Sequence, residues 1–300
     1  MNKIKQLFYL GYWFFGARIL GRKRPLQTVL FISDRCNLQC RHCAVYAKKD
    51  PNVMTYEQVR RHLRWTYSQG SRFVDFEGGE VMLWRDGDYT INDLVDLAHA
   101  EGFFSATITT NAQLPFPDMK ADSIWVSLDG IGQYHEYMRG KGTFARLEQN
   151  IASARHRHLS VNMVVSAQNY TAVEDTIRYA RDNSAIEMIS INFYTPFPGS
   201  ETSLVLDRDR RKEVIDKVIA MKREGYPVMN SVSGLKLMKD NKFKRRCWVT
   251  NFIYADGTHS GCAGEDIGIC DQCGLCMAGE MHSVFSFRPD TILAAFRLRM

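Results

Sequence analysis

Short apolar runs alternate with amphipathic segments along the middle of the chain. The apolar runs predict six strands, at 27–32, 73–76, 106–110, 123–128, 161–166 and 188–194. Helical spacing of apolar residues predicts helices at 55–69, 91–100, 144–154, 172–181 and 207–223. Strands that alternate with helices form a parallel sheet. The predicted fold class is α/β, a partial (β/α)6 TIM barrel that is left open with room for a large substrate.

Patterning at the two ends divides the chain into three regions. Residues 1–25 form an aromatic and basic arm, and residues 26–225 form the barrel. Residues 226–300 contain a cysteine-rich segment, a hairpin signal at Asp256-Gly257 and a terminal helix predicted from residue 289. We therefore expect a small C-terminal appendage beside the barrel.

The arm itself admits two interpretations. Residues 7–20 are rich in Phe, Tyr, Trp and Leu, with Arg18 as the only charge, and basic residues flank them on both sides. This stretch is shorter than the ~20 apolar residues that span a bilayer. It either lies in a membrane interface or packs as a helix against the barrel, and hydropathy permits both.

Composition narrows the class of protein. Hydrophobic residues make up 45% of the 300 residues and charged residues 24%, which is ordinary for a globular chain. The net charge of +6 is mild and dispersed, so nucleic acid is not an expected partner. All eight cysteines fall in two groups, at 36–43 and 247–276. Grouped thiols in a chain of this size indicate metal ligands rather than disulfides.

The first group, Cys36-x3-Cys40-x2-Cys43, follows the first predicted strand. Three close thiolates are typical of an iron–sulfur cubane, in which three ligands leave one of four irons open. Structural zinc prefers four protein ligands, and His42, inside the motif, would have to be the fourth. We therefore favour iron over zinc.

This signature resembles that of the radical SAM superfamily, and the resemblance continues from about residue 26 to residue 199. It implies a [4Fe–4S] cluster on the three cysteines and S-adenosyl-L-methionine (SAM) as cofactor. Gly78, Gly79 and Glu80 resemble the family's GGE motif, whose backbone contacts the methionyl amine of SAM. Asn111 resembles a residue at the end of the third strand that lines the cofactor.

The resemblance implies further cofactor contacts. Ser127 and Asp129, at the end of the fourth strand, correspond to positions beside the methionyl and ribose groups, and Asn162 points toward the ribose. The backbone of His42 meets the adenine. Arg139 is a candidate partner for the cofactor carboxylate.

Simpler interpretations and departures from the family pattern stand beside these assignments. Arg139 is equally well an exposed arginine that starts a helix, and Asn162 an ordinary capping or core-edge residue. Val81 stands where the family often has Pro, and His42 where it often has an aromatic residue. Neither departure removes a ligand.

The second group, Cys247-x9-G-x4-Cys262 followed by Cys270-x2-Cys273-x2-Cys276, resembles the SPASM region or its short form, twitch. Five cysteines rather than seven favour the short form, with one auxiliary [4Fe–4S] cluster and one spare thiol. The twitch pattern uses the first two cysteines and two of the last three. A ferredoxin-like pattern uses the last three and one more, and a zinc ribbon is also open.

The resemblance implies a radical SAM enzyme that cleaves SAM reductively to a 5′-deoxyadenosyl radical and abstracts hydrogen from its substrate. The auxiliary cluster would support a net oxidation or a bond-forming modification. The substrate is a small molecule, a peptide or a lipid, so a peptide maturase and a lipid-modifying enzyme are alternatives, as is a non-enzymatic iron–sulfur or zinc protein. No catalytic acid or base is assigned.

The surroundings of such an enzyme follow from its chemistry. We expect a flavodoxin- or ferredoxin-like electron donor, because reductive cleavage consumes one electron. Thiol-bound clusters indicate a cytoplasmic location. Association with the inner face of a membrane through residues 1–24 is the alternative.

Overall fold

A computed structural model describes residues 3–43, 50–262, 264 and 267–299. The strands are β1 (Gln27–Phe31), β2 (Phe73–Glu77), β3 (Ser105–Thr110), β4 (Ser123–Ser127), β5 (Leu159–Val165), β6 (Met188–Phe193), β7 (Thr250–Ile253) and β8 (His259–Ser260). The helices are α1 (Lys3–Arg18), α2 (Tyr56–Gln69), α3 (Ile91–Ala100), α4 (Gln133–Arg139), α5 (Thr143–Ser153), α6 (Val173–Asp182), α7 (Arg208–Arg223), α8 (Val232–Met238), α9 (Met277–Phe285) and α10 (Pro289–Arg299).

All eight strands belong to one sheet with the order β6-β5-β4-β3-β2-β1-β7-β8. Neighbouring strands from β1 to β6 are parallel, β7 is parallel to β1, and β8 is antiparallel to β7. In the part of the chain that the structure describes, β6 and β8 are the two edges of this sheet. The predicted α/β class and open partial barrel are therefore confirmed.

Alternation along the strands separates two faces. On the helix-facing side Val74, Phe76 and Ile108 are fully buried in the main core, which the barrel helices cover. Helix α2 begins at a capping box, in which the Thr55 hydroxyl accepts from the Gln58 amide and the Gln58 side chain accepts from the Thr55 amide. These local signals explain why the predicted helices end within about two residues of the observed ones.

The opposite face of the strands lines the barrel interior and is partly polar. Asp75 and Glu77 on β2, Asn162 on β5 and Asn192 on β6 alternate with the core residues. Phe31 on β1 stacks on Tyr254 after β7, with ring centroids 5.4 Å apart. The interior therefore offers both aromatic surface and hydrogen-bonding groups.

The C-terminal region adds strands to the barrel sheet. β7 pairs with β1 from Gln27 opposite Thr250 to Leu30 opposite Ile253. The predicted hairpin at Asp256-Gly257 joins β7 to β8. The division of the chain into three regions stays a prediction, and the observed pairing ties the third region to the second.

Helix α1 lies against the ends of strands and of the C-terminal helices. Trp13 packs against Trp248 and Phe285, and its indole Nε1 donates to the Arg24 carbonyl at 2.9 Å. Tyr9 packs edge-on against Phe104. In the described residues we find no helix with the length and apolar character needed to cross a membrane.

Candidate functional site

The loop that carries the N-terminal cysteines leaves the carboxyl end of β1 and lies directly on Gly78 and Gly79. The amide of Gly79 donates to the Ser33 carbonyl at 2.6 Å, and that of Glu80 to the Arg35 carbonyl at 2.7 Å. A Cβ on Gly79 would lie 2.1 Å from the Arg35 oxygen, and one on Gly78 would lie 2.4 Å from the Ser33 oxygen. Both glycines are therefore required by packing alone, before any cofactor is considered.

The three thiols lie within electrostatic range of one another at this edge of the sheet. Cys40 is buried, and Cys36 and Cys43 are half-buried. Burial raises the pKa of the Cys40 thiol to about 11 and also raises the pKa of Cys36. A coordinating cation deprotonates such a thiol, so these thiols suit metal-bound thiolates better than exposed nucleophiles.

Two side chains approach the sulfur atoms. The Asn111 Nδ2 atom lies 3.7 Å from Cys36 Sγ and donates to Asn37 Oδ1 at 2.8 Å. The Arg139 Nη1 atom lies 3.9 Å from Cys40 Sγ. A donor beside one sulfur and a cation beside another favour negatively charged thiolates at both positions.

Glu80 is buried beneath the cysteine loop and has three internal donors. Its carboxylate accepts from the Thr110 hydroxyl and the Asn111 amide, each at 2.7 Å, and from the Met82 amide at 3.0 Å. Burial raises the pKa of Glu80, although these hydrogen bonds act in the opposite direction. This carboxylate therefore positions Asn111, and so acts on the cysteine site through β3.

Asp129, at the end of β4, is fully buried behind the cysteine loop, and its carboxylate contacts the side chains of Arg139 and His42. It accepts from Arg139 Nε at 2.7 Å and from the Val164 amide at 3.0 Å, and His42 Nε2 lies 3.5 Å away. Burial alone would raise the pKa of Asp129, but Arg139, with His42 and His135, holds it below its usual value. Asp129 is therefore an anion that fixes Arg139.

The alternative interpretation of Arg139 as an exposed residue at the start of a helix is wrong. Arg139 ends α4 and is buried because its guanidinium pairs with Asp129. Its role toward the cofactor carboxylate stays a prediction. The His42 side chain points to the same pair, within 3.5 Å of Arg139 Nη2, and burial lowers the pKa of His42.

Ser127 and Asn162 are paired across β4 and β5 on the interior face. The Asn162 Oδ1 atom accepts from Asn192 Nδ2 at 2.7 Å, and Asn192 Oδ1 accepts from the Cys276 amide at 2.8 Å. A chain of amides thus links the predicted ribose side of the site to the second cysteine group. Sequence reasoning missed Asn192, because its contact with Cys276 joins residues more than 80 positions apart.

Glu77 is a second residue that sequence reasoning missed. It precedes Gly78 at the end of β2, faces the barrel interior and lies 3.5 Å from the Thr109 hydroxyl. Burial and the neighbouring Asp75 raise the pKa of Glu77 to about 7. A carboxyl group whose pKa lies near neutrality thus stands on the interior face of β2, and its place directly before GGE on an alternating strand was the available signal.

The second cysteine group surrounds an apolar cavity. Cys247, Cys262 and Cys273 line it together with Phe252 and Met281. Cys247 interacts directly with Cys262, which raises the pKa of Cys247. The β7–β8 hairpin brings these two together because one precedes β7 and the other follows β8.

The remaining two cysteines of this group differ in position. Cys276 is buried and interacts with Cys273, and burial raises its pKa to about 12. Cys270 lies in a 3₁₀ turn and is half-buried, and neither Cys270 nor Cys276 lines the cavity. Three of the five thiols therefore share the cavity, and Cys276 interacts with one of them, Cys273.

Two arginines contact this group, of which Arg211 is buried and Arg245 half-buried. Arg211 Nη2 donates to the Cys273 carbonyl at 3.0 Å, and Arg245 contacts the Cys270 carbonyl. Arg211 Nε and Arg245 Nη1 are buried without a hydrogen-bond partner among the described residues. In the same residues, no three or more His, Cys, Asp or Glu side chains form a site ready for one metal ion. Thiols around an apolar cavity with unpaired buried donors fit an anionic iron–sulfur cluster.

Known proteins resemble this chain in sequence or in fold. The Fe-coproporphyrin III synthase of Methanosarcina barkeri is 25% identical over 293 residues, covering 88% of this chain and 71% of that protein. A GTP 3′,8-cyclase of Acidothermus cellulolyticus is 28% identical over 54% of this chain, which spans half of the cyclase. SuiB of Streptococcus suis, solved with S-adenosylmethionine, shares the fold at a TM-score of 0.63 and 18% identity, over 81% of this chain and 61% of SuiB.

The family model for the radical SAM superfamily matches residues 30–180, half of the chain. That range begins in β1, contains the three N-terminal cysteines, Gly78, Gly79 and Asp129, and extends into α6. The family expected from the cysteine spacing is therefore confirmed, and the chain belongs to the radical SAM superfamily.

Proposed function

We propose that this protein is a radical SAM enzyme that abstracts a hydrogen atom from an organic substrate. The observation that carries the proposal is the three-cysteine loop at the carboxyl edge of the sheet, packed on two glycines that admit no side chain. When bound, a [4Fe–4S] cluster with one open iron supplies, with SAM, one-electron cleavage to a 5′-deoxyadenosyl radical. The chain's own residues hold, orient and shield these groups.

Roles follow from position. Cys36, Cys40 and Cys43 bind the cluster, and Asn111 and Arg139 stabilise its thiolates by a hydrogen bond and by charge. The backbone of the GGE segment contacts SAM, while the Glu80 carboxylate lies beneath the cysteine loop and positions Asn111. Ser127, Asp129, Asn162 and the His42 backbone bound the SAM site on its other sides.

We assign an auxiliary cluster to Cys247, Cys262, Cys273 and Cys276, and treat Cys270 as the spare thiol. The cavity that Cys247, Cys262 and Cys273 share supports this choice, as do the burial of Cys276 and its interaction with Cys273. The amide chain from Cys276 through Asn192 to Asn162 ties this cluster to the barrel interior. When bound there, an auxiliary cluster would supply a one-electron acceptor, which favours a net oxidation or a bond-forming modification.

The substrate occupies the barrel interior, where Glu77 exchanges a proton with it. A peptide is the second candidate substrate, because the structural neighbour SuiB has been solved with its precursor peptide SuiA. A flavodoxin- or ferredoxin-like protein supplies the electron. We place the enzyme in the cytoplasm, because thiol-bound clusters require a reducing compartment.

The test is formation of 5′-deoxyadenosine. Anaerobically reconstituted protein is mixed with SAM and dithionite, and products are separated by chromatography. We expect 5′-deoxyadenosine from the wild type and from Cys270→Ser, and none from Cys40→Ala. Absence of the product from the wild type with a full iron content would refute the proposal.

A further inference from the structure

The outer face of α1 carries a continuous apolar stripe. Ile4, Phe8, Tyr12, Phe15 and Ile19 recur at the helical repeat, and each is more than half exposed, with Phe8 at 76%. We refer to these five residues as the outer stripe. Scattered exposed apolar residues are normal, but a row of four on one helix, continued by Ile19 directly after it, marks an interaction surface.

The opposite face of α1 is firmly attached to the protein. Trp13 and Ala17 are buried in a small core with Val249 and Phe285, and the Trp13 indole is hydrogen-bonded. The outer stripe is therefore not a face that missed its partner within the chain. The two interpretations of the arm, packed helix and interfacial helix, describe its two sides.

The basic residues around the outer stripe indicate that its binding partner is negatively charged. The stripe is flanked by exposed basic residues, Lys3, Lys5 and Arg18 on the helix and residues 22–24 after it. Residues 1–33 contain six Lys or Arg and no Asp or Glu. A second copy of the chain would bring these cations together, which is unfavourable. An anionic lipid surface is attracted by the same residues and accepts the aromatic side chains at its interface.

We propose that α1 lies in the plane of an anionic bilayer surface, with the outer stripe inserted at the headgroup boundary. At 1.5 Å per residue, its 16 residues extend about 24 Å along that surface. Helices of this kind bury their apolar face by roughly 5–10 Å. The enzyme is thereby held on the membrane by a surface, not by a span.

The orientation of the bound enzyme follows from the sheet. Besides Phe285 at the end of α9 and Phe287 shortly after it, α1 contacts Arg24, Gly70, Phe104 and Trp248, and these four lie just before strands of the parallel set. They mark the amino edge of the sheet, whereas the N-terminal cysteine loop leaves the carboxyl edge. The catalytic edge therefore points away from the bilayer, and the membrane locates the enzyme without feeding lipid directly into the site.

Vesicle flotation of the reconstituted holoenzyme tests the proposal. Vesicles of phosphatidylcholine are compared with an equimolar mixture of phosphatidylcholine and phosphatidylglycerol. We expect flotation only with the mixture, and weaker flotation at high salt because screening shortens the reach of the charges. Phe8→Ser with Phe15→Ser should reduce partitioning about tenfold or more, and Lys5→Gln with Lys23→Gln about fivefold per charge.

Matched variants isolate the surface. Val205→Ser removes an exposed apolar side chain elsewhere, and Lys242→Gln an exposed lysine elsewhere, and both should float like the wild type. 5′-Deoxyadenosine formation in solution should be unchanged by the Phe8/Phe15 variant, so the membrane proposal and the enzymatic proposal fail separately. Equal flotation with both lipids, flotation of neither, or a dimer dissolved by the Phe8/Phe15 substitution would each overturn the assignment.

Discussion

Substituting Gly79 by alanine should detach the N-terminal cysteine loop without disturbing the rest of the barrel. The new Cβ would lie 2.1 Å from the Arg35 oxygen and 2.9 Å from the Asp34 carbonyl carbon, so the loop must move. Movement breaks the two hydrogen bonds to Ser33 and Arg35. These contribute about 1 kcal/mol each, and overpacking costs a further ~1–3 kcal/mol. Together, the lost hydrogen bonds and the overpacking should destabilise the folded conformation of the loop by about 3–5 kcal/mol.

Iron content and electron paramagnetic resonance (EPR) report this loss. The wild type with two cubanes should hold about eight irons, and Gly79→Ala about four, because only the auxiliary cluster remains. The reduced wild type should change its EPR signal when SAM is added, and the variant should not. Gly11→Ala is the matched control, because an added Cβ there meets nothing within 4 Å.

The reasoning fails if Gly79→Ala binds iron like the wild type and keeps the SAM-dependent EPR change. It also fails if Gly11→Ala loses as much iron, since the effect would then not come from the contact with Arg35. Circular dichroism should show that both variants retain the barrel, which separates a local loss from general unfolding.

Three other perturbations are similarly direct. Arg139→Gln leaves the buried Asp129 carboxylate without its cationic partner, so we expect the unfolding free energy to fall by about 3–5 kcal/mol. Loss of the positive charge beside Cys40 should also make the cluster potential more negative in an EPR redox titration, with Arg139→Lys intermediate. An unchanged potential would contradict the contact with Cys40. Cys273→Ser should halve the iron content and Cys270→Ser should not, and the reverse result would exclude our ligand assignment. Burial raises the pKa of Glu280 to about 7, so this group should lower the unfolding free energy by about 3 kcal/mol as pH rises from about 4.5 to about 7. Glu77 contributes over the same pH range, so in denaturant titrations Glu280→Gln should make the fall smaller by about 3 kcal/mol; a variant whose fall equals that of the wild type would contradict the prediction.

Sequence patterns predicted the six barrel strands, five barrel helices and the terminal helix because their signals are local, whereas α4, α8 and α9 were not predicted. The helix predicted at 91–100 has those bounds, since Thr90 caps it and Glu101 ends it. Chemically distinctive residues after strands were also predictable, because parallel strands bring their carboxyl ends to one edge. Asn111 and Asp129 thus lie near the cysteine loop, as expected.

Contacts between segments that are distant along the chain could not be predicted from sequence patterns. Nothing in the spacing of Gly78 and Gly79 indicates that the Ser33–Arg35 backbone lies against them. The burial of Arg139 depends on its partner ten residues away in another element, and an isolated arginine gives no sign of it. Likewise, hydropathy does not tell which side of α1 the protein covers, because aromatic residues occupy both sides.

The pairing of β7 with β1 has a consequence for dissecting this protein. β1 precedes the N-terminal cysteines and has β2 on one flank and β7 on the other. A truncation that ends before Thr250 would strip one flank of β1 and expose its unpaired amide and carbonyl groups. Such bare strands recruit other chains, so a shortened protein should aggregate rather than remain as an isolated, soluble SAM-binding half.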